Sequence, residues 1–131
     1  MSTELTLLAW TIVLGLFQVI ATAQFSTAQN GFAYGAGPRD TPPKPLTGIG
    51  ARFERATKNL GETFPFAAAA ILIAAVAGRQ NGLTWWGANL YFWGRVVYLP
   101  LYVAGTPYIR TVVWLVSVLG ILLVLFGATR G

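Results

Sequence analysis

Thr111-Val-Val-Trp-Leu-Val-Ser-Val-Leu-Gly120-Ile-Leu-Leu-Val-Leu-Phe-Gly-Ala-Thr129 is a run of 19 residues without a charge. A bilayer core about 30 Å thick takes roughly 20 apolar residues in α-helix, so this run is long enough to cross one. Working outward, Leu5 to Ala23 is a second uncharged run of 19 residues. Two less uniform candidates lie between them. Thr63 to Gly78 is uncharged and rich in alanine, and it extends backwards through a polar stretch beginning near Ala51. Gly82 to Gly105 is uncharged except for Arg95. The reading is an all-α membrane protein, a single domain over residues 1–131 with transmembrane helices over roughly 4–29, 51–79, 82–105 and 107–129.

Composition excludes much else. Of the 131 residues 55% are hydrophobic and only 10% charged, with a mean hydropathy of +0.60. Soluble domains run near ~25% charged, so a soluble enzyme is disfavoured. There is no cysteine, hence no disulfide framework, no thiolate zinc site and no cysteine nucleophile. Histidine, the commonest general base and a frequent metal ligand, is absent too. The four acids, Glu4, Asp40, Glu54 and Glu62, are too few and too scattered for a carboxylate-bridged centre, so no metal is expected. Any chemistry falls to arginine, tyrosine, asparagine and one glutamate.

The first span is not expected to be a cleavable signal peptide, because Glu4 stands where a basic n-region would and the apolar run exceeds ~7–15 residues. Residues 31–50 hold five glycines and four prolines and read as a loop. The second connection centres on the turn dipeptide Asn81-Gly82. In the third, Gly105 ends one helix and Thr106-Pro107 opens the next, with threonine as N-cap and proline at the first helical position. Short links between apolar helices make antiparallel neighbours, giving an up-down four-helix bundle. Arg39, Lys44, Arg52, Arg55 and Lys58 crowd the first loop and its flank, which places that loop in the cytoplasm and both termini outside. Trp85, Trp86, Tyr91 and Trp93 read partly as an interfacial aromatic belt. The pI of about 10.1 fits topology and contact with anionic membrane lipids. Nothing points to nucleic acid.

The polar residues within the spans are the informative ones, since intramembrane ionisable groups face a bundle interior or a wet cavity. Arg52, Arg55, Asn59 and Glu62 are spaced 3, 4 and 3 and share one helical face. Arg95, Tyr98 and Tyr102, spaced 3 and 4, share another. Arg110 opens the last span, followed by Thr111 and Trp114. The topology brings the three sets to similar depth, and Arg95 is expected to meet Glu62 as a buried pair. Four arginines against one or two glutamates leave a surplus of cations, which is costly without an anionic guest or many backbone acceptors. Two readings stand: a site for a small polyanionic ligand, or salt bridges and snorkelling arginines that lock the bundle.

Arg55-Ala-Thr-Lys-Asn59-Leu-Gly-Glu62-Thr-Phe-Pro65 resembles the second-helix signature of the MAPEG family, the membrane-associated proteins in eicosanoid and glutathione metabolism. Arg52 matches a further arginine one turn earlier in the eicosanoid-synthesising members. Gly94-Arg95-Val-Val-Tyr98-Leu-Pro-Leu-Tyr102 resembles their third-helix segment, and Pro107-Tyr-Ile-Arg110-Thr111 the start of their fourth. The resemblance implies a homotrimer binding glutathione as co-substrate between neighbouring subunits near the cytoplasmic face. It gives Arg110 the catalytic role of stabilising the glutathione thiolate. Arg52, Arg55, Asn59 and Glu62 match positions lining the glutathione site, as do Arg95, Tyr98 and Tyr102. The implied activity is a glutathione transferase or peroxidase, close to the leukotriene-synthesising members, acting on a lipophilic electrophile or lipid hydroperoxide.

The chain also departs from the family. No arginine precedes Arg39 at the end of the first helix, where Gln24 and Gln29 stand. Tyr98 replaces the histidine of prostaglandin-type members, and Thr111 a serine found in some; its hydroxyl either assists the thiolate or caps the helix start. Phe17, Trp114 and Leu115 would line the approach of the lipophilic substrate, or simply face the membrane core. The rivals are a non-catalytic lipid-binding or scaffold member of the same fold, and a small transport subunit.

Overall fold

The computed structural model describes residues 1–41 and 44–130. They form five helices: α1 (Thr3–Asn30), α2 (Phe32–Ala36), α3 (Gly48–Val76), α4 (Gly82–Val103) and α5 (Pro107–Thr129). There is no strand among the described residues. Three helices, α1, α3 and α5, are long and apolar enough to cross a membrane. At about 1.5 Å per residue the 22 residues of α4 are also long enough. Its apolarity falls short, because Arg95, Asn89 and a series of tyrosines and tryptophans interrupt the aliphatic run.

The expected loop over 31–50 is partly overturned. Gly31, at φ +90°, breaks α1, and one turn of helix, α2, forms before Gly37. The next long helix begins at Gly48, earlier than the polar stretch near Ala51 suggested. Pro42 and Pro43, two of the four prolines behind the loop reading, lie outside the described residues. Gln29 and Asn30 staple the returning chain: Gln29 Nε2 donates to the Pro45 carbonyl at 2.6 Å, and Asn30 Oδ1 accepts from the Lys44 amide at 3.0 Å.

Local signals set the helix ends. Asn81-Gly82 works as a cap: Asn81 Oδ1 accepts from the amides of Leu83 and Thr84, and Thr84 Oγ1 accepts from the Asn81 amide, a reciprocal capping box. Pro107 opens α5 as expected, but the Thr106 side chain makes no capping bond. Thr111 Oγ1 bonds back to the Pro107 carbonyl at 3.4 Å, so it does not cap the helix start either. Pro65 and Pro100 sit inside helices, which membrane helices tolerate where neighbours resatisfy the freed carbonyls.

Contacts between helices fix an antiparallel register. Along α4 and α5, Gly87 meets Gly120 and Val124, and Gly94 meets Ser117. A Cβ on Gly87 would fall 2.5 Å from the Gly120 carbonyl oxygen, and one on Gly120 equally close to that of Gly87, so only glycine permits this crossing. Between α3 and α4, Thr63 and Tyr91 share a buried hydroxyl bond of 3.0 Å, and Arg52 reaches the Val103 carbonyl. Between α1 and α3, Thr22 and Thr57 share a hydroxyl bond of 3.1 Å. Glu4, buried at the start of α1, accepts from Thr84 Oγ1 at 2.8 Å and ties α1 to the start of α4. The starts of α3 and α5 and the end of α4 therefore gather at one end of the molecule.

Candidate functional site

The polar face of α3 lies against α4. Arg52 Nη1 donates to the Val103 carbonyl at 3.1 Å, one turn before Arg55 Nε donates to Tyr102 Oη at 3.2 Å. One turn further, Asn59 Oδ1 accepts from Arg95 Nη1 at 2.9 Å. The intervals of 3 and 4 thus do put Arg52, Arg55 and Asn59 on one flank. Arg52 also holds the last turn of α4: its guanidinium lies about 3.1 Å from where a Cβ of Gly105 would sit, and Gly105 has φ +76°. The left-handed backbone favours glycine there.

On α4 and α5 the cations stack on phenol rings. Arg95 lies 4.3 Å from the Tyr98 ring centre, and Arg110 4.5 Å from that of Tyr102. The Tyr98 and Tyr102 rings are themselves 5.6 Å apart. Tyr102 therefore receives two guanidiniums, Arg55 at its hydroxyl and Arg110 on its face. Each such cation–π contact is worth about 0.5–1 kcal/mol at exposed sites and about 2 when desolvated, so the rings offset part of the positive charge without neutralising it.

The expected pairing of Arg95 with Glu62 is not found. Arg95 bonds Asn59, one turn away from Glu62 along α3, and Glu62 is exposed. Of the four arginines only Arg95 is buried, at 2% exposure; Arg110 is half-buried, and Arg52 and Arg55 are exposed. Among the described residues Arg95 Nε has no hydrogen-bond partner. A buried guanidinium thus rests on a neutral amide and a ring face, a state that carries several kcal/mol of desolvation uncompensated by an acid.

Asn59 and Glu62 also border a groove of about 400 Å³ between α3 and α5, where Trp114 joins Phe66 and Leu122. Phe17 stands on the exposed face of α1 and Leu115 on that of α5, away from this groove. Asn59 as the acceptor for Arg95, Val103 as that for Arg52, and the Thr63–Tyr91 bond are features that residue spacing did not disclose. Asn59 was legible as a polar residue on the right face, but its partner was not. No group of three histidine, cysteine, aspartate or glutamate side chains able to hold a metal occurs among the described residues.

Compared with known families, residues 5–130, nearly the whole chain, match a family model described as the MAPEG family. No curated protein and no solved structure matches the chain.

Proposed function

The chain belongs to the MAPEG family, and on that footing we propose that it is a membrane-embedded glutathione transferase or peroxidase. The family uses glutathione and includes glutathione transferases alongside non-catalytic members. One observation carries the choice: Arg95 is buried on a neutral partner with Nε unbonded, while Arg55 and Arg110 converge on the neighbouring Tyr102. Such a cluster is complemented by an anion. Glutathione brings two carboxylates and one ammonium. Arg55 and Arg52 suit the carboxylates, the exposed Glu62 suits the ammonium, and Asn59 with Tyr98 and Tyr102 suits the peptide amides.

Arg110 then lies beside the sulfur. A guanidinium in a water-poor site favours thiolate over thiol and so supplies the nucleophile that a chain without cysteine or histidine lacks. The thiolate attacks the electrophilic carbon of a lipophilic substrate and displaces its leaving group. With a lipid hydroperoxide it attacks the terminal oxygen, and a second glutathione completes the reduction. All four long helices cross the bilayer in this reading, with α4 shielded by its neighbours. Both termini lie outside, the site lies near the cytoplasmic face, and three copies assemble with glutathione between neighbours.

Arg110→Ala tests the reading. The variant is expected to lose the ultraviolet thiolate absorbance that wild type develops with glutathione, to turn over at least ~10²-fold more slowly, and to assemble normally. An unchanged thiolate signal refutes the role. The second reading, a non-catalytic member, is favoured if wild type binds glutathione without any thiolate signal.

A further inference from the structure

The first turns of α3 have two flanks. Arg52 and Arg55 face α4, whereas Glu54, two residues from Arg52 and so about 200° around the helix, faces the other way. There the last turns of α1, the short α2 and the following chain border a half-open pocket of about 540 Å³, within the ~300–1,000 Å³ range of small-molecule sites. Thr22, Ser26, Thr27 and Tyr34 line it, together with Arg39 and Glu54. Its walls are held in place. Arg39 adopts φ +56°, a strained backbone for a residue with a side chain, and its Nε and Nη2 both donate to the Gly35 carbonyl at 3.1 and 2.8 Å. Tyr34 Oη donates to the Thr41 carbonyl and closes the same segment.

Val19 belongs to this cavity and also to an apolar groove of about 240 Å³ between α1 and α3. From Val19 the groove passes Leu16 and reaches Ile12, with Leu60 and Phe64 on the α3 side. Seven residues of helix carry it about 10 Å away from the charged end. A polar chamber lined by one cation and one anion thus adjoins, at Val19 near the end of α1, an apolar slot directed along the helices.

We infer that chamber and slot form a site for one ethanolamine phospholipid. Arg39 takes the phosphate through its remaining Nη1 hydrogens, Glu54 and the hydroxyls take the ammonium, and one acyl chain lies between α1 and α3. Charge decides the headgroup. An anionic lipid without an amine would set a second negative charge against Glu54, and a choline nitrogen has no hydrogen to donate to it.

The full-length protein is reconstituted with equal parts of ethanolamine, choline and glycerol phospholipids, extracted in mild detergent, and its retained lipid quantified by mass spectrometry. Wild type is expected to retain the ethanolamine lipid selectively. Glu54→Lys, on an exposed side chain, should shift retention to the anionic glycerol lipid. Gly61→Leu should lower retention of all three about tenfold, because a Cβ on Gly61, which lines the slot, meets nothing within 4 Å. An unchanged lipid profile in either variant overturns the proposal. So does displacement of the lipid by equimolar soluble phosphoethanolamine, which would assign the chamber to a free phosphate amine. A changed copy number in Gly61→Leu with lipid retention intact also overturns it, since the slot would then hold a second chain.

Discussion

Arg95 and Asn59 meet between two further bonds from α3 to α4, Arg52 on the Val103 carbonyl and Thr63 on Tyr91. Glu62 lies one turn, about 5 Å, further along α3, and its side chain is exposed rather than turned to Arg95. The consequence is testable at single positions. Asn59→Leu strands a buried guanidinium and should lower stability by ~3 kcal/mol, read from unfolding in detergent. Asn59→Asp supplies the missing negative charge; it should keep the fold but weaken glutathione binding, because the cation is then satisfied internally. Glutathione affinity in that variant equal to wild type would show that the charge of Arg95 does not serve the ligand. Arg55→Ala, which removes a charged contact, should weaken glutathione about 10–100-fold by calorimetry while leaving the family fold intact.

At the scale of elements, the α4–α5 hairpin is the tightest part of the molecule. Gly87 and Gly120 bring two backbones together, and Gly127 packs under Asn81 and Thr84 at the capped start of α4. Gly120→Ala should destabilise the protein by about 1–3 kcal/mol, since its Cβ collides with backbone that cannot move away. Gly61→Ala on α3 is the control: its Cβ finds open space, and the substitution should be neutral or stabilising by up to about 1 kcal/mol. Equal unfolding temperatures for the two variants would deny the close crossing. The weak apolarity of α4 follows from the same packing. A helix carrying Arg95, Tyr91 and Tyr98 on its buried side is built to face other helices, which hydropathy along the chain undervalues.

The whole molecule leaves large apolar surfaces bare. Trp10, Leu16, Phe17 and Ile20 stand exposed on α1, and Leu115, Leu119, Leu122 and Phe126 on α5. Contiguous surface of this kind is covered by lipid or by further chains. The proposed assembly predicts three copies by native mass spectrometry in mild detergent, with glutathione binding lost when the copies are separated. Monomers that bind glutathione at full affinity would place the site within one chain and remove the role of the neighbour.

Long uncharged runs, the 3–4 spacing of polar residues and the Arg55–Asn59–Glu62 signature were enough to mark a helical membrane protein of this family and to put Arg52, Arg55 and Asn59, though not Glu62, against α4. Those properties are local: helical periodicity and transfer of apolar side chains out of water act along a single segment. The choice of Asn59 over Glu62, the use of Arg52 on a carbonyl, the turn of α2 within a glycine- and proline-rich stretch and the placing of Arg39 and Glu54 on one chamber came only with the tertiary structure. Each depends on axial register and rotation between helices. A few glycine contacts and cross-helix bonds set these, and they leave no periodic trace in either segment.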